Sequence, residues 1–93
     1  MLTLTSPTTA AFWLKERVQG ALLADSRAVG PGDAFIAWPG AATDGRQHVA
    51  AALAQGAVAC LVEHEGVGAF GFDGEERIVG YPGLKAPTRP IAP

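Results

Sequence analysis

The sequence predicts one α/β domain, in which a small mixed or parallel sheet is flanked by helices. Short apolar runs recur along the chain, and each has the length of a buried strand. A helical pattern over 45–55 separates the runs 34–38 and 57–63, which gives a β-α-β unit. Such a crossover implies parallel pairing. The 93 residues, 48% of them hydrophobic, suit one domain with a modest core.

The first element is a helix predicted over 6–18. Ser6 is a suitable N-cap, and Pro7 suits the first helical turn because its missing N–H costs nothing there. Gly20 marks the end of this segment. Helical spacing places three apolar residues on the buried face: Ala11, Leu14 and Val18.

A second helix is predicted between the two long apolar runs. Asp44 is its N-cap, Gln47 completes a capping box, and Gly56 ends it. Its buried stripe consists of Val49, Ala52 and Leu53. The strands are predicted at 21–24, 34–38, 57–63 and 77–81.

The remaining segments are predicted to be irregular. Residues 66–74 contain four glycines and are expected to form a surface loop. The chain becomes proline-rich after residue 82. We therefore expect a domain over 1–84 and a linker over 85–93.

Composition and charge exclude several classes of function. The net charge of -2 and the absence of a basic run argue against nucleic-acid binding. No apolar run approaches the roughly 20 residues that span a bilayer, and no secretory signal begins the chain. The single cysteine, Cys60, allows no intramolecular disulfide and fits a reducing compartment. We expect a cytoplasmic protein without membrane insertion.

Two polar motifs follow predicted strands, at the edge of a parallel sheet where ligands usually bind. Small residues in the loop 40–45 would let a phosphate approach the backbone at a helix start, and Arg46 can add a positive charge. The alternative is an ordinary loop capped by Asp44. The motif 25–27 can present the Ser26 hydroxyl to a ligand. The alternative, favoured by its residue types alone, is structural: Asp25 accepts turn N–H groups and pairs with an arginine.

Other residues with chemical potential favour simpler interpretations. Cys60 and His64 are too few for a zinc site, and a buried cysteine is a poor nucleophile, so we expect no metal and no catalytic residue. Trp13 and Trp38 could stack on a base, but their positions are more typical of core residues. No Walker-type phosphate loop occurs, so this chain has no machinery for ATP chemistry.

The order of the motifs is more specific than any one of them. The pattern runs from Leu23-Ala24-Asp25-Ser26-Arg27, through the stretch 29–37, to Gly40, Asp44-Gly45-Arg46, Ala51 and Gln55-Gly56-Ala57. It resembles the N-terminal domain of the Mur ligases, and within that family the MurE branch. The resemblance is close over about residues 20–65.

The resemblance implies a domain that holds the UDP end of a UDP-N-acetylmuramoyl dipeptide. Ala24 and Ser26 would lie against the uridine. Asp25 and Arg27 would hold the geometry of their motif. Asp44, Gly45 and Arg46 would support the loop. The diphosphate would contact the loop residues Ala41, Ala42 and Thr43.

The same resemblance places ATP, magnesium and the amino-acid pocket in central and C-terminal domains that this chain does not contain. The whole enzyme would add meso-diaminopimelate or lysine to UDP-N-acetylmuramoyl-L-alanyl-D-glutamate, and this chain alone would be inactive. Trp38-Pro39 and the small Ala24 depart from the family pattern, and both affect how closely the uracil fits. The alternatives are a MurF-type domain and a stand-alone binding or interaction module.

Overall fold

A four-stranded sheet forms the centre of the structure, a computed structural model that describes residues 2–40, 43–72 and 74–84. The strands are β1 (Leu22–Leu23), β2 (Ala34–Ala37), β3 (Ala59–Glu63) and β4 (Ile78–Tyr81). They lie in the order β1-β2-β3-β4, and every neighbouring pair is parallel. The predicted α/β class and the parallel β-α-β unit are confirmed, and the described sheet is parallel rather than mixed.

The helix α1 (Pro7–Arg17) agrees with its prediction at both ends but not in the face it buries. The Ser6 hydroxyl accepts the Thr9 N–H at 3.0 Å, as expected of an N-cap. Trp13 and Ala10 are the buried residues of the helix, whereas Ala11 is exposed. Leu14 and Val18 are only half-buried. The helix is rotated because the large indole packs over small residues of the sheet, including Ala34 and Ala59.

The second helical segment begins where predicted but has a different internal geometry. A 3-10 helix over Gly45–His48 leads into α2 (Val49–Ala54). The Asp44 carboxylate accepts the Arg46 N–H at 3.0 Å, so the predicted capping box with Gln47 does not form. The tighter first turn brings the N–H two residues beyond the cap, rather than three, within reach of the carboxylate.

The strands are covered on both faces, so their residues alternate between two cores. On one face Phe35, Cys60 and Val62 pack with Val49 and Ala52 of the second helical segment. On the other face, residues of β2, β3 and β4 pack against α1: Ala34, Ala59, Leu61 and Val79. This double burial explains why the strands read as continuous apolar runs. Two further 3-10 helices occur, at Ser26–Ala28 and within the predicted loop at Val67–Phe70.

The side chain of Asp33 holds the turn before β2. Its carboxylate accepts the N–H groups of Ala21 and Gly30, each at 2.9 Å. A Cβ on Gly20 would lie 1.9 Å from Asp33 Oδ1, so a larger residue there would push the carboxylate away from these two hydrogen bonds. The hydrogen bonds from Ala21 and Gly30 lower the pKa of Asp33.

Replacing Asp33 with asparagine is expected to lower the urea midpoint of unfolding in a pH-dependent way. A carboxylate whose folded pKa is lowered adds stability above its unfolded pKa, and this is lost as the pH falls through the folded value. The gap between the two proteins should therefore be constant well above the unfolded pKa of about 4 and should close as the pH falls through the lowered folded value. A gap that persists unchanged in acid would contradict this role.

Cys60 is fully buried in β3, and burial raises the pKa of its thiol to about 12. The native protein should therefore resist iodoacetamide at mildly alkaline pH, whereas the urea-unfolded chain should be labelled. Mass spectrometry gives a direct measurement, because the chain contains one cysteine. Rapid labelling of the native protein would show that β3 is open to solvent.

Several expectations fall on residues outside the described part of the chain. They include the loop residues Ala41 and Ala42 and the linker over 85–93. None of the helices within the described ranges is long and apolar enough to cross a bilayer.

Candidate functional site

A cleft of about 460 Å³ lies at the carboxyl ends of β1 and β2, where the two polar motifs were expected to meet. We call it the first cleft. It is lined by Ala24, Asp25, Ser26, Arg27, Ile36, Trp38, Gly40, Thr43, Gly45 and His48. Parallel pairing of Leu23 with Phe35 places the two strand ends side by side. The structure thus brings residues of the motif 25–27 and of the loop 40–45 together in the lining of one cleft.

The motif 25–27 forms a small closed unit on one side of the first cleft. The Asp25 carboxylate accepts the backbone N–H of Arg27 at 2.9 Å and its side-chain Nε and Nη2 at 3.0 Å each. These bonds from Arg27 lower the pKa of Asp25. The Ser26 carbonyl accepts a hydrogen bond from the Gln55 side chain at 2.6 Å. These bonds flank Ser26, which lines the first cleft.

The motif 44–46 repeats the same geometry on the other side, but in a buried place. The Asp44 carboxylate accepts the Arg46 N–H at 3.0 Å and its Nη2 at 2.7 Å. The Nη1 of Arg46 donates to the carbonyls of Glu63 at 2.8 Å and Glu65 at 2.5 Å. The guanidinium also lies 4.6 Å from the centre of the Phe70 ring. The hydrogen bonds to Asp44 raise the pKa of Arg46 and lower that of Asp44.

The two motifs differ in how far their arginine side chains are buried. The Arg27 side chain is 89% exposed, whereas that of Arg46 is 6% exposed. Arg46 joins the end of β3 to the start of the second helical segment, and it does not line the first cleft. Its charge is used internally, so the expectation that Arg46 adds charge to a bound phosphate is wrong. Its supporting role is consistent with this geometry.

The loop between β2 and the second helical segment is closed by short backbone contacts. The Gly40 N–H donates to the Thr43 carbonyl at 2.9 Å, and the Gly45 N–H donates to the Trp38 carbonyl at 3.0 Å. Pro39 and Asp44 form an isolated bridge at the base of the loop. A Cβ on Gly40 would lie 2.7 Å from the Thr43 carbonyl oxygen. Gly40 therefore allows the tight closure that brings Thr43 to the cleft.

Three cleft residues were missed as site residues by sequence reasoning. Ile36 lies in β2 and Trp38 directly follows that strand; both are half-buried and line the cleft, so Trp38 is not a pure core residue. His48 is exposed and lies one helical turn after the loop. The two-residue repeat of extended chain could have placed Ile36 and Trp38 on the same face. The position of His48 could not be predicted in this way, because it depends on the 3-10 turn.

The charges of the first cleft are nearly balanced. Asp25 and Arg27 neutralise each other at 3.0 Å, which leaves His48 as a further titratable group in the lining. Among the residues that the structure describes, no group of three or more histidine, cysteine or acidic side chains could hold a metal ion. The cleft offers hydroxyls, backbone groups and an apolar wall rather than a reactive constellation.

A family model described as "Mur ligase family, catalytic domain" matches residues 21–87, which include both motifs and the loop between them. The chain belongs to the Mur ligase family. The matched region contains the whole described lining of the first cleft.

Individual Mur ligases of known sequence agree with this assignment. The UDP-N-acetylmuramoyl-L-alanyl-D-glutamate–2,6-diaminopimelate ligase of Acidovorax sp. (strain JS42) is 58% identical over 90 residues, covering 97% of this chain and 18% of that protein. The UDP-N-acetylmuramoyl-tripeptide–D-alanyl-D-alanine ligase of Mycobacterium leprae (strain TN) is 55% identical over 56 residues, covering 60% of this chain and 10% of that protein. The chain thus spans less than a fifth of the length of these two relatives.

A solved Mur ligase structure shares the fold. The MurF ligase from Thermotoga maritima, in complex with ADP, matches with a TM-score of 0.53 and 27% sequence identity. The match covers 71% of this chain and 13% of that one.

Proposed function

We propose that the first cleft binds the UDP end of a UDP-N-acetylmuramoyl peptide, as a substrate-holding domain of a larger ligase. One observation carries the proposal: the cleft at the carboxyl ends of β1 and β2 unites both motifs of a Mur ligase chain. Such an edge is the usual ligand site of parallel α/β sheets.

The lining residues suggest how the nucleotide is divided between the two walls. Ala24 and Ser26 contact the uridine, with the Ser26 hydroxyl as a hydrogen-bonding group. The half-buried Ile36 and Trp38 supply an apolar surface suited to a flat base. This assignment matches a ligand that is part aromatic and part polar, because pockets for such ligands combine apolar walls with a few placed polar groups.

The diphosphate belongs to the loop 40–43, with contacts from Thr43 and from the residues Ala41 and Ala42 that lie outside the described ranges. The Asp25–Arg27 pair and the Asp44–Arg46 pair keep their supporting roles because each acid caps a turn beside the cleft. Gly45 lines the cleft between them and brings the backbone close to the ligand.

The whole protein is then an ATP-dependent amide ligase of peptidoglycan synthesis in the cytoplasm. Its reaction adds meso-diaminopimelate or lysine to UDP-N-acetylmuramoyl-L-alanyl-D-glutamate, as in the MurE branch. The support is the diaminopimelate ligase of Acidovorax, which is similar along nearly the whole chain. ATP and magnesium act in parts of the enzyme beyond this chain, together with its central and C-terminal domains. The domain described here supplies binding energy far from the reacting atoms and is inactive alone.

A second candidate is the MurF reaction, because a D-alanyl-D-alanine ligase is 55% identical over 56 residues. Two assays of the whole protein distinguish the MurE reaction from the MurF reaction. One offers the dipeptide substrate with diaminopimelate, and the other offers the tripeptide substrate with D-alanyl-D-alanine; the pair that gives a product identifies the reaction. A stand-alone binding module would turn over neither.

Tryptophan fluorescence tests the nucleotide site in the chain itself. The Trp13→Phe variant leaves Trp38 as the single tryptophan, and Trp38 lines the first cleft. UDP should change its emission in a saturable way, whereas ADP should not. Ser26→Val should weaken the UDP response, and Thr8→Val on the exposed side of α1 should leave it unchanged. A response to ADP at equal or lower concentration, or none to UDP, would contradict the proposal.

A further inference from the structure

A second cleft, of about 450 Å³, lies at the carboxyl ends of β3 and β4 and shares no lining residue with the first. It is lined by Pro39, Arg46, Glu63, Glu65, Gly83 and Leu84. We call it the acidic cleft. Of its lining residues, only Arg46 has a supporting role in the proposed nucleotide site.

Glu63, the last residue of β3, has one carboxylate oxygen that no described residue contacts by a hydrogen bond. Its side chain is buried, with 6% of the residue exposed. The Oε1 atom accepts the N–H groups of Glu65 and Gly83, each at 3.2 Å. The Oε2 atom is buried and has no hydrogen-bond partner among the described residues. Buried polar atoms nearly always have a partner, because desolvation without one is costly. Oε2 therefore requires a donor that the described residues do not supply.

The charges of the acidic cleft specify the kind of donor. Arg46 is the cation of the described lining, but its side chain is bound to Asp44 and to the backbone carbonyls of Glu63 and Glu65. The negative charges of Glu63 and Glu65 consequently lack an equal positive charge in the lining. A cation that carries N–H donors would satisfy both the unpartnered oxygen and this excess of negative charge.

We propose that the acidic cleft binds a primary ammonium group, as on a lysine side chain, with Glu63 Oε2 as its acceptor. A compact ammonium suits one unpartnered oxygen, whereas a guanidinium fork suits two. Lys85 directly follows Leu84, which lines the cleft, and the segment 85–93 contains two cations and no acid. A free amine is the other source of the same chemistry.

The carboxyl carbon of Glu63, observed by NMR in the ¹³C-labelled 93-residue chain, reports occupancy of the cleft. Lys85→Met should shift this resonance, and Arg89→Met is the control that removes a cation of the same segment. Added n-butylammonium should return the Glu63 chemical shift of the Lys85→Met protein toward that of the unchanged chain, in a saturable way. Tetramethylammonium, which has the charge but no N–H, should not restore it.

The outcomes separate the two sources of ammonium. A free amine is the ligand if Lys85→Met leaves the Glu63 resonance unshifted while n-butylammonium shifts it in a saturable way. In that case Glu63→Gln should abolish the response to n-butylammonium, and Glu65→Gln should retain it. The proposal is overturned if neither Lys85→Met nor added n-butylammonium changes the Glu63 chemical shift. The Lys85 variant changes no described residue, so it keeps the test valid even where Glu63→Gln does not fold.

Discussion

Replacing Arg46 with methionine is expected to lower the free energy of unfolding by about 3–5 kcal/mol, as when one partner of a buried ion pair is removed. Methionine keeps much of the side-chain volume, so the loss comes from polar groups. Asp44 loses its guanidinium partner, and the carbonyls of Glu63 and Glu65 lose their donor. A loss of this size is a large share of the total stability of a small domain. Urea unfolding followed by circular dichroism measures it.

Arg27→Met is the matched control because it changes the same acid-x-arginine motif at an exposed place. Its guanidinium bonds Asp25 as closely as expected of an ion pair, at 3.0 Å, yet the side chain is 89% exposed. Water replaces such a partner easily, so the urea midpoint should scarcely move. Equal midpoint shifts for the two variants would show that burial of Arg46 does not determine its contribution.

Replacing Gly40 with alanine is expected to weaken UDP binding by at least about tenfold, which corresponds to about 1.4 kcal/mol. The new Cβ would lie 2.7 Å from the Thr43 carbonyl oxygen, a backbone atom, so the loop must open. Opening breaks the 2.9 Å bond between Gly40 and Thr43 and moves the proposed diphosphate contacts. Because the loop is exposed at Gly40 and Thr43, the fold should remain intact. Titration of the Trp38 emission gives the affinity.

Gly68→Ala is the control for the glycine substitution. A Cβ at Gly68 meets nothing within 4 Å, and the residue lies outside the first cleft. Its UDP affinity should equal that of the unchanged protein. Unchanged affinity in Gly40→Ala as well would mean that the loop geometry is not needed for the nucleotide.

Much of the fold could be predicted because local chemistry and tertiary structure agree in it. Ser6 caps α1 as its side chain dictates, and the apolar runs become strands that are buried on both faces. The buried face of α1 could not be predicted from spacing. The rotation of the helix depends on the fit of Trp13 over the alanines of the sheet, which helical periodicity does not contain.

The site shows the same division between local and tertiary information. The motifs 25–27 and 44–46 look alike in sequence and form the same local hydrogen bonds. Arg27 is nevertheless exposed and Arg46 is buried, because only Arg46 lies beside the end of β3 and Phe70. Motif chemistry therefore predicted where the cleft lies, but not that Arg46 is unavailable to a ligand or that Trp38 lines the wall.

An amide-resolved NMR titration of the 93-residue chain with UDP, and with ADP as the control, tests the central claim most directly. We expect selective shifts at Ser26 and over residues 41–45, with smaller changes over α1, none of whose residues lines the first cleft. UDP shifts confined to other surfaces, or equal shifts with ADP at Ser26 and the loop, would contradict a uridine site in the first cleft.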